Sequence, residues 1–173
     1  MSLTLVLGGA RSGKSSYAEK SALSLSSSPI YLATSRIWDD DHHERIKRHQ
    51  ADRGPQWENI EEEKRLSKVE VVKRVILVDC ATLWLTNYFV DLAEDEGAAL
   101  AAAKAEFEKL PLRENHWIFV SNELGMSLHA ETEAGRKFTD AQGFLNQYIA
   151  AKADRVVLMV AGIPMEIKSE NRQ

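Results

Sequence analysis

With 173 residues, 44% of them hydrophobic, the chain falls within the size of one domain and can bury a sizeable core. Lys and Arg number 22 against 26 Asp and Glu, so the formal charge of -4 offers no general pull toward nucleic acid or acidic membranes and favours small-molecule chemistry. A lone cysteine excludes an intrachain disulfide, and the lack of a cleavable leader pattern or of an apolar run near ~20 residues predicts a soluble cytoplasmic protein with no stable membrane insertion.

Leu3-Thr4-Leu5-Val6-Leu7 reads as a buried first strand, and Gly8-Gly9-Ala10-Arg11-Ser12-Gly13-Lys14-Ser15 follows it at once. This is the G-x-x-x-x-G-K-[ST] spacing between a strand and a helix, the context in which that pattern binds phosphates. Gly8 and Gly13 let the backbone curl with its N–H groups inward, and the helix opening at Lys14 presents its positive dipole end. Lys14 is expected at the β/γ-phosphates of a nucleoside triphosphate and Ser15 on Mg²⁺. A helix over 16–24 fades into the Ser24–Pro29 loop, and Ile30–Thr34 reads as a second strand ending in the hydroxyls of Thr34 and Ser35. Ligands bind at such carboxyl ends of parallel strands.

Residues 39–50 are densely charged, acidic at the start and basic at the end, which suits a helix aligned with its dipole and stopped by Arg53-Gly54-Pro55. Three of the five histidines, His42, His43 and His49, fall here. A zinc site fails on ligands, because no cysteine is close and adjacent helical histidines point apart. His49, with Arg45 one turn behind and Arg53 ahead, sits among cations that favour a neutral imidazole and attract phosphate. Its residue-level reading stays divided between a nucleophile or acid/base group and a surface histidine.

Trp57–Glu61 reads as a short edge strand and Glu62–Lys73 as an exposed helix. Val75–Val78 is β-rich and ends in Asp79, the arrangement that sets a carboxylate near a metal held by Ser15; an ordinary strand-end acid is the alternative. Cys80 reads as a small buried hydrophobe. Helices are expected over 82–92 and 97–110, ended by Pro111. Trp117–Val120 is a further buried strand finishing in Ser121-Asn122-Glu123, whose polar groups either meet a ligand or cap a helix. A helix over 133–153 carries Phe138, Ala141, Phe144, Leu145 and Tyr148 at core-compatible spacing, and a strand over 156–162 precedes Ile163-Pro164. The four tryptophans read as core or interface rather than stacking platforms. Strands alternating with helices, without a repeat or linker, predict one α/β domain spanning 1–173 with a mainly parallel sheet covered on both faces.

Taken together, the Gly8–Ser15 loop, Tyr31-Leu32-Ala33-Thr34-Ser35, Arg45-Ile46-x-x-His49, Trp57, Asp79-Cys80, Asn87, Asn122-Glu123-Leu124-Gly125-Met126 and Gly162-Ile163-Pro164 resemble the bifunctional adenosylcobinamide kinase/adenosylcobinamide-phosphate guanylyltransferase family of cobalamin assembly. The likeness covers almost the whole chain and departs from the family in Asp79, where Glu is frequent, and in Gly54 before Pro55. It implies a three-layer P-loop fold of RecA-like type and a homotrimer with sites between subunits. Adenosylcobinamide and its phosphate are the implied substrates, with GTP, ATP and Mg²⁺. Gly8, Gly9, Ala10, Arg11, Ser12, Gly13, Lys14 and Ser15 are implied at the phosphates. Further nucleotide contacts are implied at Ala33, Thr34, Ser35, Gln50, Ala51, Asp52, Arg53, Glu61 and Asp79, with Ser15 and Asp79 at the metal. His49 matches the histidine that takes GMP from GTP as a phosphoramidate. A plain small-molecule kinase and a RecA-like nucleotide-switched binding protein stand as rivals.

Overall fold

The structure, a computed structural model, describes residues 1–36 and 54–169. The charged helix expected over 39–50, with His49 and Gln50–Arg53, lies outside the described residues, as do Trp38, His42 and His43.

Strand β1 (Ser2–Gly8) runs into the Gly-rich loop and helix α1 (Lys14–Leu25). Strand β2 (Ile30–Ala33) follows, then β3 (Glu58–Glu61) and β4 (Val75–Asp79). Helices α2 (Ala81–Asp91) and α3 (Glu96–Phe107) lead to β5 (His116–Asn122), α4 (Glu133–Lys152), β6 (Arg155–Val160) and β7 (Ile163–Ser169). Among the described residues the sheet has the order β3-β2-β4-β5-β1-β6-β7, parallel throughout except for β7, which pairs antiparallel with β6. The expected mainly parallel sheet with helices on both faces is therefore present.

Alternation along the strands divides the core in two. Leu5, Leu32, Val78 and Phe119 face the layer of α2, α3 and α4, together with Trp84, Phe107 and Leu145. Val6, Tyr31, Leu77 and Val120 face α1 through Ala18 and Ala22. Trp84 and Trp117 are fully buried and both meet Phe119, whose ring centroid lies 5.5 Å from that of Phe107, and Trp57 meets Tyr31 edge-on at 5.7 Å. Such pairs add about 0.5–1.5 kcal/mol each beyond the area they bury. Thr132 caps α4 by accepting from the Gly135 N–H, and Asp95 caps α3 by accepting from Ala98. Among the described residues no helix is long and apolar enough to cross a membrane.

Three local expectations are corrected. Glu62–Lys73 holds only a one-turn 3₁₀ helix at Leu66–Lys68, because Leu66 and Val69 both turn inward and a series of tight turns puts them there. β-branched Val69, Val71 and Val72 disfavour continuing it. The strand expected to run to 162 ends at Val160, and Ala161 (φ 50°) and Gly162 (φ 81°) form a two-residue hairpin turn into an unforeseen β7. Phe144 is 55% exposed, since it sits at the margin of the Phe138-Ala141-Leu145-Ile149 stripe that packs on the sheet.

Candidate active site

Between β1 and α1 the chain turns through Gly8–Ser15, with Arg11 at φ 56° and Gly13 at φ 92°, both in the left-handed region. Glycine meets that demand at 13 without a steric penalty and also allows close approach, since a Cβ there would lie 3.3 Å from the Cα of Gly162. The Ser12 N–H donates to the Gly9 carbonyl at 3.3 Å, and the Gly162 N–H donates to the Ser12 carbonyl at 3.0 Å, so the hairpin turn braces the loop from behind. The Ser12 hydroxyl is buried without a hydrogen-bond partner among the described residues. Gly8 is closed to any side chain: a Cβ would stand 2.4 Å from Ser12 Oγ and 2.8 Å from the Met159 carbonyl, which the β1–β6 ladder holds in place. We expect Gly8→Ala to cost about 1–3 kcal/mol of stability by overpacking and to weaken nucleotide binding at least tenfold, read by thermal unfolding and by titration with a GTP analogue.

Lys14 is buried, and its Nζ donates to the Gly9 carbonyl at 2.8 Å. Burial pulls its pKa below the ordinary lysine value, an effect that Cys80 and Asp79 offset in part. Asp79, at the end of β4, is half-buried and accepts from the Tyr31 hydroxyl at 2.5 Å. Cys80 is buried as expected, with its thiol pushed up to about 12, so it is no nucleophile.

Register brings the strand ends together. Ala33 stands opposite Asp79, Asp79 opposite Val120 and Gly8 opposite Asn122, while the Glu123 N–H donates to the Gly8 carbonyl at 3.0 Å. Because Val6, Tyr31, Leu77 and Val120 face α1, the residues two places on in each strand, Gly8, Ala33, Asp79 and Asn122, emerge on that same side at the mouth of the loop. Ser15 is half-buried at the start of α1. The structure thus gathers Gly8–Ser15, Ala33, Asp79 and Asn122 at one end of the sheet. N–H groups, an ammonium and a carboxylate arranged in this way suit a polyphosphate.

Thr34 has a different place. It is fully buried, its hydroxyl donates to the Cys80 carbonyl at 2.8 Å and accepts from the Cys80 N–H at 2.9 Å, and its carbonyl accepts from Asn87 Nδ2 at 2.8 Å. It locks the end of β2 to the turn after β4. Ser35 is half-buried just beyond it, and Glu61 is exposed at the end of β3, opposite Ala33. Residue-level reading missed the Arg36 clamp: its guanidinium donates to Glu63 at 2.7 Å and to both oxygens of Asp91 at 2.7 and 2.9 Å. Together with Lys64, Arg36 holds the Asp91 carboxyl well below the usual carboxylate range. No sequence signal pairs residues 36, 63 and 91; the fold alone does.

Glu123 lines two cavities. One of about 360 Å³ runs along Gly9–Ser12 and Met159–Ala161, and one of about 410 Å³ lies beside α4 at Asp140, Gly143 and Phe144.

Residues 4–167 match the family described as cobinamide kinase / cobinamide phosphate guanyltransferase. The chain is 39% identical over 171 residues to the bifunctional adenosylcobalamin biosynthesis protein CobP of Pseudomonas aeruginosa, covering 96% of this chain and 97% of the relative. It is 35% identical over 184 residues to the bifunctional adenosylcobalamin biosynthesis protein CobU of Escherichia coli, covering 96% and 99%. Among solved structures, an ATPase from the type III secretion system of pathogenic bacteria superposes with a TM-score of 0.54 at 12% identity, over 98% of this chain and 57% of that one, a likeness of fold alone. The strand order, the loop between β1 and α1 and these relatives agree: the fold is RecA-like α/β, and the chain belongs to the cobinamide kinase / cobinamide phosphate guanyltransferase family.

Proposed function

We propose that this enzyme, a kinase and nucleotidyltransferase by family, phosphorylates adenosylcobinamide and transfers GMP from GTP to adenosylcobinamide phosphate through a GMP–His49 intermediate. The family match over residues 4–167 carries the reading, and the Gly8–Ser15 loop with its desolvated Lys14 supports it. In the kinase half, the aminopropanol hydroxyl oxygen of the corrinoid attacks the γ-phosphorus. The bond to the β-bridging oxygen breaks with its electron pair leaving on the nucleoside diphosphate, and the hydroxyl proton is released. In the guanylyl half, a neutral His49 nitrogen attacks the α-phosphorus and pyrophosphate departs. A phosphate oxygen of the corrinoid then attacks the phosphoramidate, freeing His49 and giving adenosylcobinamide-GDP.

Lys14 and the N–H groups of Gly9–Ser15 bind and orient the triphosphate and stabilise the charge that develops on the leaving oxygens. Ser15 and Asp79 offer one hydroxyl and one carboxylate, the hard oxygen donors that Mg²⁺ accepts alongside phosphate oxygens and water. Among the described residues no three His, Cys, Asp or Glu side chains gather to hold a metal. Bound there, Mg²⁺ neutralises phosphate charge. Ala33, Ser35, Gln50–Arg53 and Glu61 complete the nucleotide contacts in this reading. Thr34 acts through the backbone it fixes. The chain works in the cytoplasm as one domain within a homotrimer whose sites lie between subunits.

The test is label transfer by the wild-type protein. With γ-labelled ATP or GTP, label should move to adenosylcobinamide. With α-labelled GTP, acid-labile and base-stable label should stay on the protein and leave when adenosylcobinamide phosphate is added. No retained α-label would reduce the protein to a kinase, and turnover that answers to nucleic acid instead of corrinoid would make it a nucleotide-switched binding protein.

A further inference from the structure

The end of β5, Ser121-Asn122-Glu123, admits two readings from sequence, a ligand contact or a helix cap, and the structure separates its residues. No helix begins there; the next, α4, starts at Glu133 and is capped by Thr132. Ser121 is fully buried on the α4 side, where its hydroxyl donates to Asn146 Oδ1 at 2.6 Å and accepts from Gln142 Nε2 at 2.9 Å. Asn122 is the opposite case. Its backbone is held at both ends, the N–H donating to Thr82 Oγ1 at 3.0 Å and the carbonyl accepting from Asn146 Nδ2 at 3.0 Å. Its carboxamide is half-buried and has no hydrogen-bond partner among the described residues.

Its position gives that amide a purpose. β5 lies between β1 and β4, and Asn122 stands opposite Gly8 and two residues beyond the partner of Asp79. The side chain emerges on the α1 face, between the phosphate loop on one side and the Asp79 carboxylate on the other. A rigidly held strand end that leaves a neutral two-donor amide unsatisfied at this point is suited to an anion that protrudes past the loop.

We infer that the Asn122 carboxamide donates to the terminal phosphoryl group of the bound nucleoside triphosphate and helps to position it for transfer. The inference rests on the proposed kinase reading and deepens it. As the acceptor oxygen bonds to the γ-phosphorus and the β-bridging bond breaks, the equatorial oxygens keep their charge, and a donor fixed in advance stabilises them without reorganising. Asn122 is then a catalytic residue that tells a triphosphate from a diphosphate.

Asn122→Asp is the informative variant, because it keeps the shape and removes the donors. We expect kcat for phosphoryl transfer to adenosylcobinamide to fall about 100-fold, with the KM for the corrinoid within threefold and the thermal midpoint close to wild type. Without any corrinoid, binding of β,γ-imido-GTP should weaken about tenfold or more, while GDP affinity stays within threefold. Asn122→Ala should lose the same discrimination, which removes added carboxylate charge as the cause. Equal weakening of analogue and GDP, or an unchanged affinity ratio in both variants, would overturn the inference. A wild-type protein that fails to phosphorylate adenosylcobinamide would instead refute the kinase reading, and the affinity ratio would still decide the role of Asn122.

Discussion

Lys14→Ala should lower both the kinase and the guanylyl reactions about 1,000-fold, the scale set by removing a fixed cationic donor from a site where charge develops, while leaving the nucleotide-free fold intact. The ammonium is enclosed by its loop, and Gly9 takes one of its three protons, which leaves two donors for phosphate oxygens. Burial strips water from it and lowers its pKa. A folded pKa below the unfolded one means that the unfolded chain holds the proton more tightly, so this residue opposes folding at neutral pH and opposes it less as pH rises through the folded pKa. Removing it should therefore shift the thermal midpoint of the nucleotide-free protein by only a few degrees, even as transfer collapses. The readouts are steady-state rates with γ- and α-labelled nucleotide beside a melting curve. Loss of one reaction alone would mean that the two use different phosphate sites.

His49→Ala should abolish retention of α-label and guanylyl transfer while kinase turnover stays within about threefold, because the nitrogen that forms the phosphoramidate has no part in γ-phosphoryl transfer. His49 lies outside the described residues, so the expectation stands on the family resemblance and on imidazole chemistry. That chemistry supplies a second check. Only the neutral ring attacks phosphorus, so the rate of label uptake should fall as acid protonates the imidazole. Equal loss of both reactions in the variant, measured on the same preparation, would make His49 a structural residue.

The parts of the fold legible from sequence were those written locally. β1, β4 and β5 are short apolar runs ending in glycine, aspartate or asparagine, and the Gly8–Ser15 pattern between a strand and a helix needs no distant residue to be recognised. β7 escaped because Pro164 interrupts its apolar alternation. An edge strand tolerates that proline, and Ala161-Gly162 was the turn signal that could have announced the hairpin. Residues 62–73 deceived by composition, since charge density resembles an exposed helix when the inward turn of Leu66 and Val69 is unseen. At the site, residue types were readable but orientation was not. Thr34 and Asn122 are both polar groups at strand ends, yet one hydroxyl is closed off by the Cys80 peptide and one amide stands open, a difference set by the register of β2, β4 and β5.

The brace between Gly162 and the Ser12 carbonyl joins segments 150 positions apart in the sequence. A ligand gripped by the glycine loop consequently tightens a closure between distant segments of the chain, so its binding energy resists unravelling of the whole sheet and not merely of one turn. A ribosome-bound chain still lacking residue 162 has every glycine of the cradle but not the donor that braces Ser12 from behind.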